Sequence, residues 1–289
     1  LKRFWLAEHH GSNSFAGCSP EILIPRIASS TKNIRVGSGG VMLMHYSPYK
    51  VAENFRLLES MFPRRIDLGL GRAPGSDPFQ AGALAYGSKT TGPEFFPTKM
   101  NDLRSFLSNQ TPETKSFENV NVTPGLGDVP DTWLLVSSEQ GADYASFFGL
   151  PMSLAYFINQ DCLYLAKPYR ENFQKSIFGD SPQVSVAVFA ICAETNEEAN
   201  LLASSASIWR ENVSKGIFGP FPTLEEATKK IKDKDKEEGK SIVGDQKYVE
   251  GQLMKILEET NADELKIITI CESMSSKKES YRLIKEIFS

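Results

Sequence analysis

The sequence predicts an α/β fold of the (β/α)8 TIM-type barrel class, on three observations. Short runs apolar on both faces alternate with longer stretches whose apolar residues recur at helical spacing. Seven such strand runs can be traced, and doubly buried strands separated by helices make a parallel sheet covered by helices. Residues suited to chemistry follow successive runs, which is where barrel enzymes build their sites. An open doubly wound sheet also satisfies the alternation. The barrel is favoured by the count, because the chain opens almost directly in a strand run, and a strand and helix expected to be lacking before Leu1 would bring seven units to eight.

The runs are residues 4–7, 34–43, 65–71, 133–136, 153–157, 184–192 and 265–271. Helices are expected over 19–30, where Pro20 suits a first turn, and over 49–62, where Val51, Ala52, Phe55, Leu58 and Met61 share a face. Residues 73–125 are rich in glycine, proline and polar residues, with one helix near 98–109. Further helices are expected over 140–148, 161–178, 196–215, 244–260 and 278–288. We expect one domain over 1–289, with a mobile insertion or lid at 216–244. The mixed charges of 229–238 read as a solvated helix face or as part of that lid.

Composition narrows the function. Apolar residues make up 40% and charged residues 24%, enough for a substantial core. A formal net charge of -4 gives no general attraction to nucleic acid or anionic membrane, and no apolar stretch is long enough to span a bilayer. Four scattered cysteines without a CxxC, and only three histidines, argue against a metal site and fit a reducing, cytoplasmic setting.

Two of the three histidines are adjacent. Glu8-His9-His10 ends the first run, and a histidine at a strand end is a candidate acid or base near neutral pH. Neighbouring strand residues face opposite ways, so one ring is expected in the mouth and the other behind it. Ser38-Gly39-Gly40 removes side chains at a strand end, consistent with a bulge or with a flat ligand lying close to the backbone. Gly69 to Gly75 contains a GxG, but Arg72 and Pro74 break any dinucleotide fingerprint. Arg72 reads as an anion clamp or as a surface ion pair. Ser137-Ser138 precede a helix, as phosphate donors or as caps. Together these residues suggest a flat, phosphate-bearing cofactor.

The motifs AEHH (7–10), VGSGGVML (36–43) and RIDLGLGRAPG (65–75) resemble those of the bacterial luciferase-like flavin monooxygenases, in their non-luminescent branch. The likeness continues through PYKVAE (48–53), LLVSS (134–138), GLP (149–151) and NADEL (261–265). The resemblance implies a barrel that binds reduced FMN, delivered by a separate flavin reductase. Oxygen then forms a peroxyflavin that oxidises a small organic substrate. It also favours a homodimer. It puts His9 at the oxygen-reactive edge with His10 and Glu8 beside it, and Ser38, Gly39 and Gly40 at the ring, the Gly39-Gly40 bond being a cis peptide. Arg72, Ser137 and Ser138 fall at the phosphate. Glu139 and Arg64 depart from the pattern, Arg64 standing where glycine is usual. Two other readings remain at this point: a flavin-binding protein without turnover, and a deazaflavin-dependent hydride-transfer enzyme.

Overall fold

The computed structural model spans Leu1–Ser289 and describes every residue except Pro74, Leu126, Phe218 and 232–240. It divides into two compact units. The first holds Leu1–Gly11, Phe15–Met152 and Tyr169–Pro182; the second holds Ser12–Ser14, Ser153–Pro168 and Gln183–Ser289.

In chain order the first unit runs β1 (Arg3–Leu6), α1 (Pro20–Ser29), β2 (Arg35–Met42), α2 (Pro48–Met61), β3 (Ile66–Gly71), α3 (Pro78–Ala85), α4 (Phe96–Ser108), β4 (Asp131–Val136) and α5 (Glu139–Phe148). The strands β1 to β4 pair in sequence order and all in parallel. The alternation sorts their residues cleanly. Val36, Leu68, Leu70 and Leu134 are fully buried on one face. The other face carries Arg3, Trp5, Arg35, Asp67 and Trp133. Asp67, wholly buried, accepts from Arg3 Nη1 (2.9 Å), Arg35 Nε (2.7 Å) and Trp5 Nε1 (2.8 Å). Arg35 Nη2 reaches Asp131 at 2.9 Å. A carboxylate this deep is tolerable only because charge and lone pairs are both satisfied.

Next in the chain come β5 (Met152–Ala155) and α6 (Ala166–Asn172). The second unit continues with β6 (Val184–Cys192), α7 (Asn196–Ser214), α8 (Leu224–Ile231), β7 (Ser241–Gly244), α9 (Gln246–Thr260), β8 (Glu264–Ile268) and α10 (Met274–Ile287). The long strand β6 pairs in parallel with β7 through Phe189–Cys192 and with β8 through Ser185–Phe189.

Three expectations are corrected. The described residues hold eight strands rather than seven. The extra one, β7, holds only the apolar pair Ile242-Val243 directly after a charged stretch, so it makes no apolar run. It lies inside the stretch expected as a lid, and so does α8; Phe218 and 232–240 of that stretch lie outside the described residues. The helix expected over 161–178 is a 3-10 turn at Gln160–Leu165 followed by α6, which ends at Asn172, and Ser176 instead bridges Gly179. Finally, α3 was not anticipated; Asp77 caps it by accepting from the Phe79 and Gln80 amides. No described helix is long and apolar enough to cross a membrane.

Candidate active site

The first unit brings most of the expected residues together at the C-terminal ends of β1 to β4. Glu8 is 1% exposed and spends its carboxylate locally. Its Oε1 bonds His10 Nε2 (2.8 Å) and accepts from Tyr46 Oη (2.7 Å), while Oε2 accepts from the Met42 amide (3.0 Å). Burial and the adjoining Glu8 carboxylate push the Tyr46 phenol far above its ordinary range, so it keeps its proton and donates. His10 must then donate from Nε2 as well, which fixes its tautomer.

The neighbouring ring is placed differently. His9 stacks on Phe15, with centroids 4.2 Å apart and planes 13° from parallel. Its Nδ1 is buried and makes no hydrogen bond. Burial first, then the nearby His10, lower its pKa from 6.5, so the ring is neutral at pH 7. The two backbones are held by carbonyls of different loops: His9 N donates to Gly17 O and His10 N to Gly75 O, both at 3.1 Å. Gly75 lies in the left-handed region at φ 58°, and a Cβ there would stand 3.0 Å from Glu8 O. That close approach needs glycine.

The Gly39-Gly40 peptide is cis. The β2–β3 register shifts between Gly39 and Val41, so Gly40 is the extra residue of a bulge. A Cβ on Gly40 would meet Gly69 O at 2.8 Å and Gly71 N at 3.0 Å. Ser38 does not join this surface. It is fully buried, and its hydroxyl donates to Gly69 O at 2.8 Å, so it braces the strands and offers a ligand no free hydroxyl.

Arg72, just past β3, meets the start of α5. Its guanidinium donates to Gln140 Oε1 (2.7 Å) and Ser138 Oγ (3.0 Å). Its Cζ lies 5.8 Å from the Phe96 ring and 5.4 Å from the Tyr144 ring. No described carboxylate comes within salt-bridge reach of it. Ser138 caps α5 by accepting from Gly141 N, and Ser137 sits half-buried just before it. Glu139 is exposed to solvent. Gln140, Tyr144, Phe96 and Tyr46 escaped the sequence reading, and so did Lys99. Lys99, 8% exposed on α4, donates to Met44 O (2.9 Å) and Tyr46 O (3.0 Å), fixing the loop that carries Tyr46. Its signal was legible: a lysine at helical spacing between Phe96 and Leu103, on the buried face.

This arrangement can seat an anion at Arg72 and the α5 N-terminus, with side-chain-free backbone and a neutral histidine nearby. Residues 1–262 match the family model for luciferase-like monooxygenases. The chain belongs to the luciferase-like monooxygenase family. The uncharacterized protein YwcH of Bacillus subtilis (strain 168) is 39% identical, over 99% of this chain and 88% of that protein. Among solved structures, apo-MsnO8 has a TM-score of 0.88 and 34% identity, covering 99% of this chain and 87% of the other. The oxygenating constituent of a 3,6-diketocamphane monooxygenase from Pseudomonas putida, in complex with FMN, has a TM-score of 0.71 and 18% identity, covering 98% and 86%. That last likeness speaks for the fold alone, and the fold is the α/β fold of the luciferase-like TIM-barrel enzymes. The protein is an oxidoreductase of flavin-dependent monooxygenase type, acting on a small molecule with O2.

Proposed function

We propose that this luciferase-like monooxygenase uses reduced FMN and O2 to oxidise a small organic substrate. The observation that carries the choice of FMN is Arg72. It is a preorganised guanidinium without a described carboxylate partner, at the N-terminus of a ten-residue helix, which suits a phosphate monoester. An FMN complex on the same fold supports it.

In this reading Arg72, Ser138 and the first amides of α5 hold the phosphate, and the flat ring lies at the Gly39-Gly40 bulge. Reduced FMN, when bound, would supply the electron pair that activates O2. His9, neutral and with Nδ1 unpartnered, accepts or hands on a proton there. Glu8 orients His10 behind it. A separate reductase supplies the reduced flavin. A homodimer is part of the proposal, supported by exposed apolar side chains on the barrel helices, Ile22 on α1 and Leu57 and Met61 on α2.

Anaerobic titration with reduced FMN tests the cofactor assignment. Saturable binding of one FMN per chain is expected. Absence of binding, or a preference for the deazaflavin coenzyme seen in the absorbance of the bound species, would overturn it.

A further inference from the structure

In the second unit a different guanidinium has no carboxylate partner among the described residues. Arg210, on α7, donates from Nη1 to Ser241 Oγ of β7 at 2.7 Å. Its Cζ lies 5.6 Å from the ring centroid of Phe189. Phe189 packs in turn on Phe157, ring centroids 4.7 Å apart. No described carboxylate lies within salt-bridge reach of Arg210. Its pKa is lowered from 12.5 by burial, with no neighbouring anion opposing the shift. Arg210 is half-buried, and holding a guanidinium partly out of water without an anion is unfavourable.

The strands explain the placement. Phe189 is the one half-buried residue of β6, the others being buried. It lies in the C-terminal half of that strand, and Phe157 follows the end of β5. For β5 and β6 this is the end that meets substrate in barrel enzymes, and Ser241, paired with Phe189, opens β7 beside it. The two rings give a flat apolar wall and the guanidinium gives one planar fork. A single fork matches the two oxygens of a carboxylate.

We propose that Arg210, Ser241, Phe189 and Phe157 form a substrate subsite, and that this enzyme takes organic acids: an apolar or aromatic body against the two phenylalanines, with a carboxylate on Arg210. This rests on the monooxygenase reading and adds the substrate class. It also assigns function to a strand, β7, that the sequence did not announce.

The test needs no turnover. Calorimetric titration of the flavin-free protein with phenylacetate and with its neutral counterpart, phenylacetamide, reads the subsite directly. Phenylacetate is expected to bind at least tenfold more tightly. Arg210→Met, which keeps the apolar stem against Phe189, is expected to abolish that preference while leaving reduced-FMN affinity unchanged. Ser241→Ala is expected to weaken phenylacetate alone, and guards against a folding defect in the first variant. Equal binding of acid and amide to the unaltered protein, or an acid preference that survives Arg210→Met, would overturn the proposal. FMN affinity measured on the same samples separates the outcomes: intact FMN binding without acid preference sinks the subsite alone, whereas lost FMN binding in the unaltered protein sinks the cofactor reading.

Discussion

Tyr46 donates its phenolic proton to Glu8 at 2.7 Å, and Lys99 in turn holds the Tyr46 carbonyl at 3.0 Å. The order of His10 therefore depends on a loop fixed by a lysine from a helix. Tyr46→Phe leaves Glu8 with one donor fewer and is expected to cost about 1–2 kcal/mol in urea unfolding. Lys99→Met removes the clamp on the same loop. The double variant is expected to lose less than the sum of the two single losses, since both act through one loop. Strict additivity would show that Lys99 and Tyr46 act independently.

His9→Ala is expected to keep FMN affinity within about threefold and to slow or misdirect the reaction of bound reduced flavin with O2 by about 100-fold, the scale of one lost proton-transfer group. Stopped-flow absorbance checks this, and an unchanged time course removes His9 from the chemistry. The same variant carries a pH signature. His9 has a folded pKa below its ordinary 6.5, so the unfolded chain binds its proton first as the pH falls. Stability is expected to drop as the pH goes down through 6.5, and this component should vanish in His9→Ala.

Arg72→Ala is expected to weaken FMN by about 10- to 100-fold, the loss of one charge-assisted contact, and to leave riboflavin affinity nearly unchanged. Fluorescence titration of both flavins decides it. Equal losses would mean that Arg72 shapes the pocket rather than holding a phosphate.

Glu59 offers a stability test away from the site. Burial pushes its carboxyl up to about 7 from 4.5. Between those values the folded state holds a proton that the unfolded state has lost, so stability falls as the pH rises through that window, and the penalty persists above 7. Glu59→Gln fixes the neutral form and is expected to raise Tm at pH 8 while changing it little at pH 5. A lowered Tm at pH 8 would show that the ionised carboxylate is wanted there.

The strands were legible because burial on both faces writes a continuous apolar run, as over Val184–Cys192, and Arg72 and the histidines stood out as unusual residues at strand ends. Arg64 was legible only as an oddity. Its φ of 61° is a left-handed conformation that favours glycine, and the turn is steadied by Glu59 accepting from its amide. What escaped were partners far apart in sequence. Nothing local tells that Asp67 gathers Arg3, Arg35 and Trp5, or that Lys99 serves a loop some fifty residues earlier; those pairings exist only once the strands align. The resemblance puts Ser38 at the ring, whereas its buried hydroxyl donates to Gly69 O.

The proposed conversion of reduced FMN and O2 into an oxidant held for an organic substrate is tested most directly by loading the protein with reduced FMN without oxygen and mixing it rapidly with O2. A long-lived oxygenated-flavin absorbance, well separated from the return of oxidised FMN, is the predicted result. Tight FMN binding with reoxidation as fast as that of free flavin would contradict the claim and leave a flavin-binding protein without monooxygenase turnover.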